Sequence, residues 1–140
     1  MPKWTAARTR KEARRLVLKW APRLGLSDMD ISVQVLLPKD MHENGDAALH
    51  CRDDSAQAMV SINRFWWKED GPRIAKPDLE LNTIHELCHL LAREMTHFLY
   101  RHRGTSENDK AWFTDAEERF ADRTAVGLLR WDRREKEKEG

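Results

Sequence analysis

The chain has 140 residues, of which 40% are hydrophobic, enough for one core but not for two. Charged residues make up 35% yet sum to a net charge of only +1, so bulk charge does not call for a nucleic-acid partner. No apolar run approaches the ~20 residues of a membrane-spanning helix, and the basic N-terminus lacks the apolar stretch of a secretory signal, so a cytoplasmic location is expected. Cys51 and Cys88 are too few for a disulfide framework and are expected as reduced thiols.

From Thr5 to Trp20 the residues Ala13, Leu16, Val17 and Trp20 recur at helical spacing, and Leu24 extends the stripe past Pro22 before Gly25 ends it. This predicts an amphipathic helix whose other face carries Arg8, Arg10, Lys11, Arg14, Arg15 and Lys19. Ile31, Val33, Val35 and Leu37 alternate with the period of a half-buried strand that Pro38 stops. Lys39 to Asp46 reads as a loop, with a turn at Asn44-Gly45. Ala48–Arg52 and Ala58–Asn63 read as two short strands around the turn Asp53-Asp54-Ser55.

After the punctuation of Gly71, Pro72 and Pro77 a long helix is expected from near Asp78. Leu81, Ile84, Cys88, Leu91, Met95 and Phe98 form its apolar stripe. A second helix is expected from about Lys110 to Trp131, followed by a charged flexible tail over 133–140 with nothing apolar to bury. The fold class is therefore α+β: an N-terminal helix, a small three-stranded sheet covered by the long helix, and a final helix, in a single domain over 1–132.

The segment that carries chemistry is His85-Glu86-Leu87-Cys88-His89, an H-E-x-x-H pattern. Residues four apart on a helix share a face, so two imidazoles can reach one tetrahedral zinc. Glu86 lies roughly 100° around from His85, outside the ligand set but close enough to take a proton from an activated water. Two ordinary helix histidines would give the same letters, but a mid-helix position with an intervening glutamate favours the metal.

A catalytic zinc takes a third protein ligand. His97 stands about 12 Å further along the axis than His89 and fails on reach. Ala92 and Met95 occupy the positions where a metzincin extension requires glycine and histidine, which excludes that subclass. The remaining candidates lie on the last helix, where Glu117 projects with Phe113, Phe120 and Trp131 while Glu118 projects with Ala121 and Ala125. Apolar patterning does not choose between them.

His85-Glu86-x-x-His89 followed by Glu118-x-x-Ala121-Asp122-x-x-Ala125-x-x-Leu128-Leu129 resembles the gluzincins, the thermolysin-like zinc metallopeptidases, and most closely their small intracellular and phage-associated forms. The resemblance covers Leu79 to Leu129, and the strands match it only by order and length. It implies a minimal zincin-like domain with zinc on His85, His89 and Glu118, with Asp122 orienting a ligand histidine. It implies Glu86 as general base and peptide or protein substrates, received by strand addition at an edge strand around Met59–Asn63. The family spacing thus favours Glu118 over Glu117.

Other residues carry weaker readings. His42 and His50 read as ordinary loop and strand histidines, and His97, Tyr100 and His102 are candidates for stabilising an oxyanion. Of the adjacent Trp66 and Trp67 one should be core and the other free to line a groove, while Cys88 should fill the core as a small apolar residue. The competing functional reading is a zincin-fold regulator or nucleic-acid binder without peptidase activity, its basic first helix meeting phosphates.

Overall fold

The computed structural model describes residues 4–41, 45–51, 56–68, 76–102 and 106–139, with the backbone alone for 94–102. In chain order the elements are α1 (Ala6–Trp20), β1 (Asp30–Leu36), β2 (Ala47–Cys51), β3 (Gln57–Asn63), α2 (Leu79–His102) and α3 (Glu107–Glu139). Short 3-10 turns occupy Pro22–Leu24 and Pro38–Asp40. The class is α+β, in the predicted order. No described helix is long and apolar enough to cross a membrane.

Thr5 caps α1, its hydroxyl accepting a hydrogen bond from the Arg8 N–H at 3.0 Å. Ala13, Leu16, Val17 and Trp20 are buried, so the predicted stripe is the face that meets the core. Gly25 closes the following turn at φ 74°, a left-handed conformation open to glycine because it has no Cβ.

The sheet runs β1-β3-β2, with β1 parallel and β2 antiparallel to β3. A short connection lets β2 and β3 pair as neighbours in opposite directions, while the longer route from β1 permits a parallel partner. Ala58, Val60 and Ile62 of β3 are buried, with Ile31, Val33 and Leu49 packed beside them under α1 and α2. The alternate positions mix polar and apolar residues: the Gln34 Nε2 donates to the buried Ser61 Oγ at 2.8 Å, Met59 is half-buried, and His50 is exposed. The expectation that β3 is the substrate-receiving edge is corrected here, since both its ladders are occupied and the edges belong to β1 and β2. Alternation reveals which face of a strand is buried but not which strands flank it.

Ile84, Leu87 and Cys88 have no exposed surface, whereas Leu91, at the centre of the same stripe, is 41% exposed. A helical stripe fixes an angle, not how far along the axis the covering layer extends. Met95 and Phe98, also expected on the stripe, have side chains outside the described residues. Helix α3 meets α2 through Ala121, Ala125 and Leu129, small residues that allow close approach.

The charged tail expected over 133–140 is helical as far as Glu139, so α3 passes through the predicted domain limit at 132 without interruption. Ion pairs replace apolar burial there. Arg133 pairs with Asp78 at 2.9 Å and Lys138 with Glu135 at 3.4 Å, and Lys136 lies 3.5 Å from Asp132 one turn earlier.

Asp132 is 5% exposed and binds α3 to α1, its two oxygens accepting from Lys19 Nζ and Arg23 Nη1, each at 2.8 Å. Lys19 also donates to Glu80 at 2.9 Å, and the Trp20 indole N–H meets the same carboxylate at 3.2 Å, which brings in the start of α2. Burial opposes ionisation of Asp132, but the hydrogen bonds from Lys19 and Arg23 outweigh it and hold the carboxyl down at about 2, from an ordinary 3.8. A depressed carboxyl pKa stabilises the fold above its unfolded value and loses that contribution as pH falls through the folded value. Asp132→Asn should therefore cost about 2 kcal/mol at neutral pH, a difference that shrinks between about pH 4 and pH 2. Urea denaturation of both forms across that range measures it, and equal midpoints at neutral pH would refute the anchoring role.

Candidate metal centre

On α2 the four-residue spacing stacks His85 and His89 on one face, their ring centroids 4.8 Å apart and their Nε2 atoms 3.1 Å apart. Helix α3 supplies the third member. Glu118 Oε1 lies 3.0 Å from His85 Nε2, and Oε2 lies 2.9 Å from His89 Nε2. One ligand atom from each of the three residues falls within 4.8 Å of the others. Bonds of about 2.0 Å at tetrahedral angles place neighbouring zinc ligands about 3.3 Å apart, so the donor types and their spacing suit that ion.

Each imidazole also has an acceptor on its far side. His85 Nδ1 meets Asp122 Oδ1 at 3.0 Å, and His89 Nδ1 meets Glu117 Oε1 at 2.9 Å. An acceptor there holds the proton on Nδ1 and leaves the Nε2 lone pair for a metal. The two rival glutamates are thereby separated: Glu118 faces the paired Nε2 atoms and Glu117 backs one ring. Asp122 stands behind His85, one turn along from Glu118. Sequence reasoning missed the supporting position of Glu117. The signal was present, because adjacent helical residues differ by about 100° and cannot both point at one ion, but both can reach the same pair of histidines from different sides.

Burial pushes the His89 pKa down, but the hydrogen bond with Glu117 and the charges of Glu86, Glu118 and Glu117 outweigh it, and the net shift is upward. The field that favours a proton on this ring also favours a divalent cation. Glu86 is 7% exposed and near enough to contribute to that field. Cys88 turns into the core, and burial pushes its thiol up to about 11, as suits a small apolar filler rather than a thiolate ligand.

Two neighbours were not read from the sequence. Arg93, one turn after His89, donates from Nη1 to Cys51 Sγ at 3.0 Å and so ties α2 to the end of β2. Asn82, one turn before Glu86, has a side-chain Nδ2 that is buried without a hydrogen-bond partner among the described residues. Both cysteines are free thiols.

The remaining candidates do not join this group. His50 projects from the outer face of the sheet. His42 lies outside the described residues, as do the side chains of His97, Tyr100 and His102. Trp66 is core, its indole N–H donating to Thr9 Oγ1 at 3.2 Å and its ring 5.0 Å from Trp4, while Trp67 is half-buried. Comparison of the chain with protein-family models, curated proteins and solved structures finds no match.

Proposed function

We propose that this chain is a zinc-dependent peptidase of zincin-like fold, with His85, His89 and Glu118 as metal ligands and Glu86 as general base. One observation carries the reading: two Nε2 atoms and both oxygens of a carboxylate from a second helix converge, with a separate acceptor behind each imidazole. Two ordinary helix histidines have no need of this arrangement. A structural zinc is closed by four protein ligands, whereas the group among the described residues numbers three and leaves a side for water and substrate. The near-burial of Glu86 beside the histidines adds support, since a structural site has no use for a carboxylate there.

Bound zinc supplies Lewis acidity, lowering the pKa of water and polarising a carbonyl. Glu86 takes the proton of the attacking water and returns it to the leaving amine. Asp122 and Glu117 keep the two rings in the tautomer that presents Nε2. For substrate backbone the favoured edge is now that of β2, which packs along α2 and has a strand partner on one side only among the described residues. An extended peptide can add there by main-chain hydrogen bonds.

Metal analysis of the purified protein, paired with a peptide-library digest by the wild type and Glu86→Gln, tests the proposal. One zinc per chain and cleavage lost in the variant would support it. Absence of metal after growth in zinc, or cleavage independent of Glu86, would refute it.

A further inference from the structure

The solvent face of α3 carries a row of charge that the metal centre does not use. Arg119, Arg123, Arg130 and Arg134 are all exposed, and at 100° per residue they fall within one 60° sector of the helix, over an axial run of about 22 Å. The opposite face, with Ala121, Ala125, Leu129 and Asp132, is buried, so the row points away from the core. None of the four has an ion pair or hydrogen bond among the described residues. The acidic residues within this span are committed elsewhere, Asp122 to His85 and Asp132 to Lys19 and Arg23. The fifth arginine of the span, Arg133, is taken by Asp78.

Large aromatic rings accompany the row. Trp112 is 61% exposed, Phe120 40% and Trp131 58%, and by helical angle they lie within it or along one side. Gly127 interrupts the row with open space where a Cβ would stand. A chain with a net charge of +1 has thus gathered unpaired guanidiniums and exposed indoles on one helix face.

We propose that this face of α3 binds single-stranded nucleic acid, the arginines meeting phosphates and Trp131, Phe120 and Trp112 offering surfaces on which unpaired bases stack. Guanidinium forks match phosphate geometry, and base stacking on exposed aromatics is the mode that single strands permit and duplexes deny. A second copy of the chain is disfavoured by repulsion between like-charged rows. An acyl surface would find no exposed aliphatic side chain among the described residues of the row. The basic face of α1, the site for phosphates in the competing reading, has Arg10, Lys11 and Arg14 but no exposed ring beside them among the described residues: its one aromatic near that end, Trp4, is half-buried against Trp66 and stacked under Arg8. The inference is independent of peptide cleavage.

Fluorescence anisotropy of the full chain with labelled oligothymidylate of about 20 nucleotides, titrated at several salt concentrations, tests it. The double variant Arg123→Gln, Arg130→Gln should bind at least about tenfold more weakly, with a log–log salt slope shallower by about 1.4 for the two lost phosphate contacts. Trp131→Ala should weaken binding about tenfold and leave the slope unchanged, since stacking releases no counterion. Both variants alter exposed side chains, and unchanged circular dichroism confirms that they fold. The proposal is overturned if the double variant binds like the wild type, or if Arg10→Gln, Arg14→Gln on α1 takes the loss instead. Tighter binding to a duplex of the same length, or binding to phosphatidylserine vesicles without binding to the oligonucleotide, overturns it equally.

Discussion

Glu86→Gln should retain zinc and fold while losing most of its hydrolytic rate. Glutamine keeps the volume of the buried side chain while removing its charge and its capacity to accept a proton, and the three ligands of the ion are untouched. Glu86 is 7% exposed and lies close enough to His89 for its charge to be felt there, so the substitution acts at the site and not through a remote shift in packing. A positioned general base is worth about 10² to 10⁴ in rate, and in this reaction the same carboxylate also returns the proton to the leaving amine. The loss should appear in kcat with little change in KM, because the carboxylate acts on the water and not on substrate binding. A small residual rate is expected from zinc alone. Wild-type turnover by Glu86→Gln at equal zinc occupancy would remove Glu86 from the chemistry. An intact zinc site that cleaves nothing in a broad peptide library would instead turn the reading toward a regulator built on the same scaffold.

The second large effect concerns the metal itself. His85→Ala, His89→Ala and Glu118→Ala should each lose stoichiometric zinc, because three ligands share the ion and any two make a poor site. Glu117→Ala and Asp122→Ala should bind zinc about 10- to 100-fold more weakly and still reach one per chain at high concentration, since each carboxylate touches the far nitrogen of a ring. Thermal unfolding gives a second readout. Zinc at a hundredfold excess over its Kd stabilises the folded chain by about 2.7 kcal/mol, an increment that the ligand variants should lack. Zinc retained at one per chain by the double variant His85→Ala, His89→Ala would dispose of the site, and zinc lost by Glu117→Ala but kept by Glu118→Ala would exchange the roles of the two glutamates.

The helices and strands were legible because their signals are local. Ala13, Leu16, Val17 and Trp20 betray α1 by spacing, and Ala58, Val60 and Ile62 betray β3 by alternation. The pairing of His85 with His89 is equally local, fixed by the pitch of a single helix. The tail was misjudged because only apolar burial was counted. Residues 133–139 extend α3 through ion pairs, one of which reaches Asp78, far away in the sequence.

What the sequence determined alone is thus the element order, the buried face of α1, the part of the α2 stripe formed by Ile84 and Cys88, and the two histidines with Glu86 beside them. Everything that depends on one element meeting another was decided by the tertiary structure. Strand order is such a case: alternation is the same for a central strand and an edge, and only the ladders of β1 and β2 on β3 put β3 in the centre and left the edges to β1 and β2. The glutamates are another. Glu117 and Glu118 are equally able to approach a histidine until the packing of Ala121, Ala125 and Leu129 sets the rotation of α3, and then one carboxylate faces the Nε2 pair and the other the back of His89. A helical period encodes an angle about an axis, whereas a site shared by two helices needs the distance and rotation between axes, which the packed side chains of both helices set together.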